Sequence, residues 1–171
     1  RELRRLAGRD DEGPDLVFIG TLVPRKGVDR LVEAFRLLVA RHPSAVLVLM
    51  GPKSRKEDFD MDESYVHGLQ ERCARPDLAG HVLFLGRIDS PERKRAVLQS
   101  SDLLALFSEY EGLGIVILEA MACGVPPVLA PLPGVFDYVV EDGVDGRIAG
   151  SRDPAVLAEA LARVLSGEEP R

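Results

Sequence analysis

At 171 residues with 46% hydrophobic content, the chain can bury one sizeable core but is short for two, so a single domain is expected. A net charge of −6 and a pI near 5.1 argue against a non-specific nucleic-acid binder. The two distant cysteines, Cys73 and Cys123, form neither a disulfide framework nor a zinc spacing and fit reduced, cytoplasmic thiols.

The segment RELRRLAGRDDEG is charged throughout and lacks the apolar core of a signal peptide, and no later run approaches a membrane span. Its start on Arg1 suggests a piece of a longer chain, so residues 1–14 are read as a lead-in or linker and 15–171 as the domain. DLVFIG (15–20) is an apolar run closed by Gly20, as for a strand buried on both faces of a parallel sheet. After the loop TLVPRKG, residues 28–41 place Val28, Leu31, Val32, Phe35, Leu38 and Val39 at helical spacing, and His42 and Pro43 end that helix. AVLVLMG (45–51) and HVLFLG (81–86) repeat the pattern of a buried strand stopped by glycine, with a charged loop at 52–63 and a helix over 64–75 between them. In SPERKRAVLQS, Ser90 reads as an N-cap with Pro91 at the first helical position. DLLALF (102–107) is a fourth strand, a helix and a fifth strand follow within 107–130, and Arg147 to Ala149 adds a short strand after the EDGVDG turns. Asp153 caps the last helix. Strands and helices alternate at least five times, which predicts an α/β, Rossmann-like, doubly wound parallel sheet.

Ligands of such sheets bind outside the carboxyl ends of the strands, so the loops after Gly20, Gly51, Gly86 and Phe107 are expected to line one crevice. The first loop carries Arg25 and Lys26 between a strand and a helix N-terminus, which suits a phosphate, although basic residues here are equally compatible with solvated surface. It is not a Walker A loop, having neither the glycine spacing nor a Ser or Thr after the lysine. The acidic triplet Asp58, Asp60 and Asp62 fails as an EF-hand, because Glu63 and Leu69 stand where glycine and glutamate are required; it reads as a solvated loop. His42, His67 and His81 share no ligand spacing.

The most informative stretch is 107–130, FSEYEGLGIVILEAMACGVPPVLA. Gly112 and Gly114 lie where strand gives way to helix, so backbone N–H groups and the helix dipole can meet an anion. Glu119 falls in IVILEAMA, a helix apolar on nearly every side, and is therefore expected to be buried with a partner. Two partners are open: the vicinal diol of a ribose, or a lysine or arginine on a neighbouring element. Glu111, in the loop before the helix, is placed to accept from sugar hydroxyls.

Glu111-Gly-Leu-Gly-Ile followed by Leu118-Glu119-Ala-Met-Ala-Cys-Gly124-Val-Pro126 resembles the paired-glutamate signature of the family-4 (group 1) retaining glycosyltransferases, which have the GT-B fold. The Gly20 to Gly27 loop, VLVLMG, HVLFLG, EDGVDG and the AVLAEAL helix follow the family's order, and the resemblance spans about residues 15–166. It implies the C-terminal, nucleotide-sugar-binding half of a hexosyltransferase-type enzyme, without the N-terminal acceptor domain. By that resemblance, Lys26 with Arg25 faces the donor diphosphate, Glu111 contacts the transferred sugar, and Glu119 binds the ribose diol. Gly112, Leu113, Gly114 and Ile115 form the turn that holds sugar hydroxyls and phosphate; Arg87 and Ile88 flank the base, and Gly20, Thr21 and Gly51 let their loops approach the nucleotide. The family transfers sugar with retention and without an obligatory metal, stabilising the leaving diphosphate electrostatically. The implied partner is thus a nucleotide-diphosphate sugar as substrate, with no cofactor; any membrane contact belongs to the absent domain, and that half alone binds donor with little or no turnover.

Three positions depart from the pattern. Thr21 replaces a common arginine, so one diphosphate contact is missing or passes to Arg25; Leu113 replaces a usual phenylalanine; and Pro133 and Asp137 stand where glycine and glutamate are common. The rival readings are a nucleotide-sugar epimerase or hydrolase of the same architecture, for which no acid and base pair is evident, and a non-catalytic nucleotide-binding module.

Overall fold

The computed structural model of the chain describes residues 11–52 and 62–168. Among these, six strands form one sheet: β1 (Asp15–Ile19), β2 (Val46–Met50), β3 (Val82–Gly86), β4 (Leu103–Leu106), β5 (Pro127–Leu129) and β6 (Arg147–Ile148). Their order is β3-β2-β1-β4-β5-β6 and every neighbouring pair is parallel. This is the doubly wound arrangement expected from the sequence. The apolar runs of β2, β4 and β5 are buried at every residue, because helices cover both faces of a parallel sheet. β3 departs from that expectation. It lies at the sheet edge and four of its five residues are only half-buried.

Among the described residues there are five α-helices, of which the first four connect β1 through β5 and the last follows β6: α1 (Val28–Val39), α2 (Glu63–Cys73), α3 (Pro91–Gln99), α4 (Ile115–Ala122) and α5 (Pro154–Ser166). The caps follow local chemistry. Asp62 accepts from the N–H groups of Ser64 and Tyr65, Ser90 from Arg93 N, and Asp153 from Ala155 N at 2.8 Å, each satisfying a helical N–H that has no intrahelical acceptor. Asp62 is therefore a helix cap; Asp58 and Asp60, read with it as a solvated triplet, lie outside the described residues. α1 and α5 pack against each other, joined at one end by Arg41 and Glu159 at 2.9 Å. Tyr65 of α2 reaches the start of α1, where its hydroxyl donates to Asp29 Oδ1 at 3.1 Å.

The core runs through the whole sheet and includes the fully buried Phe18, Phe35, Phe107 and Phe136. Each such side chain contributes roughly 1.5–3 kcal/mol by leaving water. Cys73 is buried, and burial pushes its thiol up to about 12, which makes it a core residue and no nucleophile. No helix among the described residues is long and apolar enough to cross a membrane.

Two further differences from the sequence reading bear on the site. The first loop contains a 3-10 turn, Pro24–Lys26, made possible by Pro24 at its first position. The helix α4 is not covered on every side: Ile115 and Leu118 are exposed, and Glu119, expected in the interior, keeps about a third of its side chain in solvent. Apolar composition all round a helix predicts burial only if something covers each face, and among the described residues nothing covers this one.

Candidate functional site

Strand order reverses between β1 and β4, the switch point beside which parallel sheets of this kind bind their ligands. On one side, three loops lie edge to edge. Gly20 N donates to Met50 O at 3.0 Å and Gly51 N to Gly86 O at 3.0 Å. A Cβ on Gly51 would stand 1.9 Å from the Gly20 carbonyl oxygen, so only glycine permits this approach. The loops and α3 enclose a hollow of about 250 Å³ lined by Gly20, Thr21, Gly51, Arg87, Ile88 and Lys94. The first five were singled out from the sequence and the structure brings them together; Lys94 was not.

On the other side, the first loop is latched to the loop after β4. Glu109 N donates to Arg25 O at 2.8 Å, and Arg30 of α1 forms an ion pair with Glu109. Gly27 makes this contact possible. It adopts φ 63° to open α1, and a Cβ there would lie 2.2 Å from Phe107 O. Lys26 Nζ in turn meets Glu111 Oε1, with only 15% and 10% of the two side chains exposed. Glu111 accepts a second hydrogen bond at 2.9 Å from Ser108 Oγ, which is fully buried. Arg152, just before α5, donates to Ser108 O at 2.8 Å and to Pro131 O at 2.6 Å, so one guanidinium ties together the loops after β4 and β5. A carboxylate held by a cation and a buried hydroxyl, on a loop itself held by a guanidinium, has little freedom to reorient.

The loop after β4 leads into the start of α4. Gly114, at φ 66°, is its N-cap, and the first N–H groups of the helix have no intrahelical acceptor. Gly112, Leu113 and Ile115 are exposed around it. One turn further, Glu119 Oε1 lies 2.5 Å from Lys94 Nζ of α3, with 33% and 30% of the two side chains exposed. Of the two partners the sequence left open for Glu119, the protein alone supplies the cation from a neighbouring element. Lys94 lines the hollow beside Gly20, and a Cβ on Gly20 would stand 4.0 Å from Lys26 Cε, so the two charged pairs flank the same glycine loop.

Other residues singled out from the sequence have contacts or surroundings of their own. Arg25 is exposed, and its backbone carbonyl rather than its guanidinium holds the neighbouring loop. Arg87 Nε donates to Asp89 Oδ1 at 2.6 Å. Asp137 sits in a second 3-10 turn, Phe136–Tyr138. Sequence reasoning missed Ser108, Arg152 and Lys94. Ser108 carries a faint local signal, three residues before Glu111, whereas Arg152 and Lys94 reach the site across 44 and 25 residues of chain, which no local pattern reports.

The latch at Gly27 predicts a stability effect. Gly27→Ala adds a methyl group against Phe107 O and forces a side chain into the left-handed region. It is expected to cost about 1–3 kcal/mol, read as a lower denaturation midpoint with unchanged slope in urea.

A family model described as glycosyl transferases group 1 matches residues 1–171. Phosphatidyl-myo-inositol mannosyltransferase of Mycolicibacterium smegmatis is 34% identical over 167 residues, 97% of this chain and 40% of that protein. Glycogen synthase of Mycobacterium tuberculosis is 33% identical over 160 residues, 93% of this chain and 36% of that one. The crystal structure of Anabaena HepE in complex with UDP superposes with a TM-score of 0.80 at 27% identity, covering 98% of this chain and 43% of that one. The chain thus spans 36–40% of the length of these curated relatives. Its sheet is one Rossmann-like domain of the GT-B architecture. The family match over the full 171 residues, on a fold whose loops converge as described, means that this chain belongs to the group 1 glycosyltransferases.

Proposed function

We propose that residues 15–171 are the donor-binding domain of a retaining hexosyltransferase, holding a nucleotide-diphosphate sugar whose acceptor is bound by a domain outside these residues. The observation that carries this reading is the placement of two charged pairs, Lys26–Glu111 and Lys94–Glu119, on the loops and helices around the hollow at Gly20 and Gly51. The base lies against the backbone at Arg87 and Ile88, the ribose diol donates to Glu119, and the diphosphate lies between Gly20 and the N-terminus of α4. UDP in the Anabaena relative supports a nucleoside diphosphate as the ligand class.

In this reading Lys26 and the helix N-terminus stabilise the charge that grows on the leaving diphosphate, so no metal is required of the protein. Glu111, held by Lys26 and Ser108, orients the transferred sugar by accepting from its hydroxyls. These residues bind and polarise the donor. Acceptor recognition lies with the other domain, so the 171 residues alone bind donor and transfer little, and the whole protein works in the cytoplasm on a nucleotide-sugar pool.

Calorimetric titration with UDP, GDP and ADP and their sugar conjugates tests the reading. One diphosphate series is expected to bind, the sugar conjugate more tightly than the bare diphosphate, and Glu111→Gln is expected to remove that difference. If no nucleotide binds, the donor reading fails.

A further inference from the structure

Of the two charged side chains lining the hollow, Arg87 and Lys94, only Lys94 is given no contact with the donor in the proposed reading. It sits in the first turn of α3, whose start is set by Ser90 accepting from Arg93 N and by Lys94 N donating to Ser90 O at 3.0 Å. From there its ammonium lies 2.5 Å from Glu119 Oε1 on α4, a separate element 25 residues away. Among the described residues Lys94 is the only hydrogen-bond or ion-pair partner of the Glu119 side chain. A glutamate side chain has several rotamers, and on the partly open face of α4 it would otherwise move among them. The pair occupies one direction on Oε1 and leaves Oε2 and the remaining lone pair of Oε1 able to accept. A diol approaching from the hollow therefore meets a carboxylate already aimed.

We infer that Lys94 is the positioning residue for Glu119, presetting the carboxylate so that the site discriminates a ribose from a dideoxyribose. The inference rests on the ribose role proposed for Glu119. It does not make Lys94 a catalytic residue, since it acts through the carboxylate it holds. An opposite role is physically available: Lys94 could compete with the ribose and keep the empty site closed. The two roles give effects of opposite sign.

The test uses Lys94→Met, which keeps the length and apolar stem of the side chain, with Lys94→Arg as the conservative variant, each checked for an unchanged thermal midpoint. Because both partners are about one-third exposed, the fold itself should not depend on the pair. Affinity is measured for UDP, or for whichever of GDP and ADP binds better, and for its 2′,3′-dideoxy counterpart. Freeing one rotamer-rich side chain is expected to weaken the ribonucleotide by about 5- to 10-fold. The 2′,3′-dideoxynucleotide, which has no hydroxyl to donate to Glu119, should be nearly unaffected, so that discrimination collapses, and Lys94→Arg should restore most of it. Tighter ribonucleotide binding by Lys94→Met, or discrimination equal to the parent, overturns the inference while leaving the ribose role of Glu119 intact. If the parent itself does not distinguish the two sugars, or Glu119→Gln binds both as the parent does, the ribose reading fails and the inference falls with it.

Discussion

Lys26→Met is expected to weaken nucleoside diphosphate binding by about 30-fold or more while changing the affinity for the free nucleoside by less than about 3-fold. A unit charge about 4 Å from a phosphate oxygen is worth up to about 4 kcal/mol near a protein surface. Some of that is lost here because Lys26 is already engaged with Glu111, so about 2 kcal/mol is the realistic net, equal to the stated factor. The substitution also leaves Glu111, with 10% of its side chain exposed, dependent on Ser108 alone, which is expected to lower stability by about 1–3 kcal/mol. The double variant Lys26→Met/Glu111→Gln removes both charges and should recover most of the stability but none of the diphosphate affinity. If the double variant also recovers affinity, Lys26 holds the loop and does not face the phosphates. Titration calorimetry with paired urea melts reads both quantities.

Glu119→Ala is expected to produce a comparable loss with a different signature. A carboxylate accepting two hydrogen bonds from a diol contributes about 1.5–3 kcal/mol per bond when shielded, and less at a side chain one-third exposed. A net loss of about 2–3 kcal/mol, or roughly 30- to 150-fold, is expected for the ribonucleoside diphosphate. The 2′,3′-dideoxy analogue, which has no diol to donate, should bind the variant and the parent alike. An equal loss for both analogues would instead mean that the carboxylate shapes the pocket. Lys94, left without its partner, is exposed enough to be solvated, so the fold should survive the change.

Most of the scaffold was legible in local sequence because each element is punctuated by chemistry that acts locally. Apolar runs ended by Gly20, Gly51 and Gly86 became β1 to β3 and the turns that follow them, while Ser90 and Asp153 cap helices as read. The two glutamates were legible for a different reason. Spacing within one loop and one helix, Glu111 to Glu119, is preserved when the chain folds, so a local pattern names both residues at once.

Errors arose wherever exposure depends on neighbours distant in sequence. The composition of α4 suggests burial all round, yet Leu118 is 44% exposed and Glu119 lies at the rim, because no described element packs on that face. β3 has the same apolar character as β2 but takes the edge position, which strand order decides and composition does not. At Arg25 the packing of two loops adds what composition does not report: the loop after β4 docks on its backbone carbonyl, while its side chain stays exposed.

By itself, then, the sequence determined the alternating α/β scaffold, the loops that carry the site and the two glutamates that mark it. Periodicity, capping and turn chemistry act within a few residues and are written into the order of side chains. Only the tertiary structure decided which cations those glutamates meet, Lys26 across 85 residues and Lys94 across 25, and that Ser108 and Arg152 hold the first of them in place. Ion pairs and close backbone approaches of that kind depend on strand order and register, quantities that long-range packing sets and no local pattern contains.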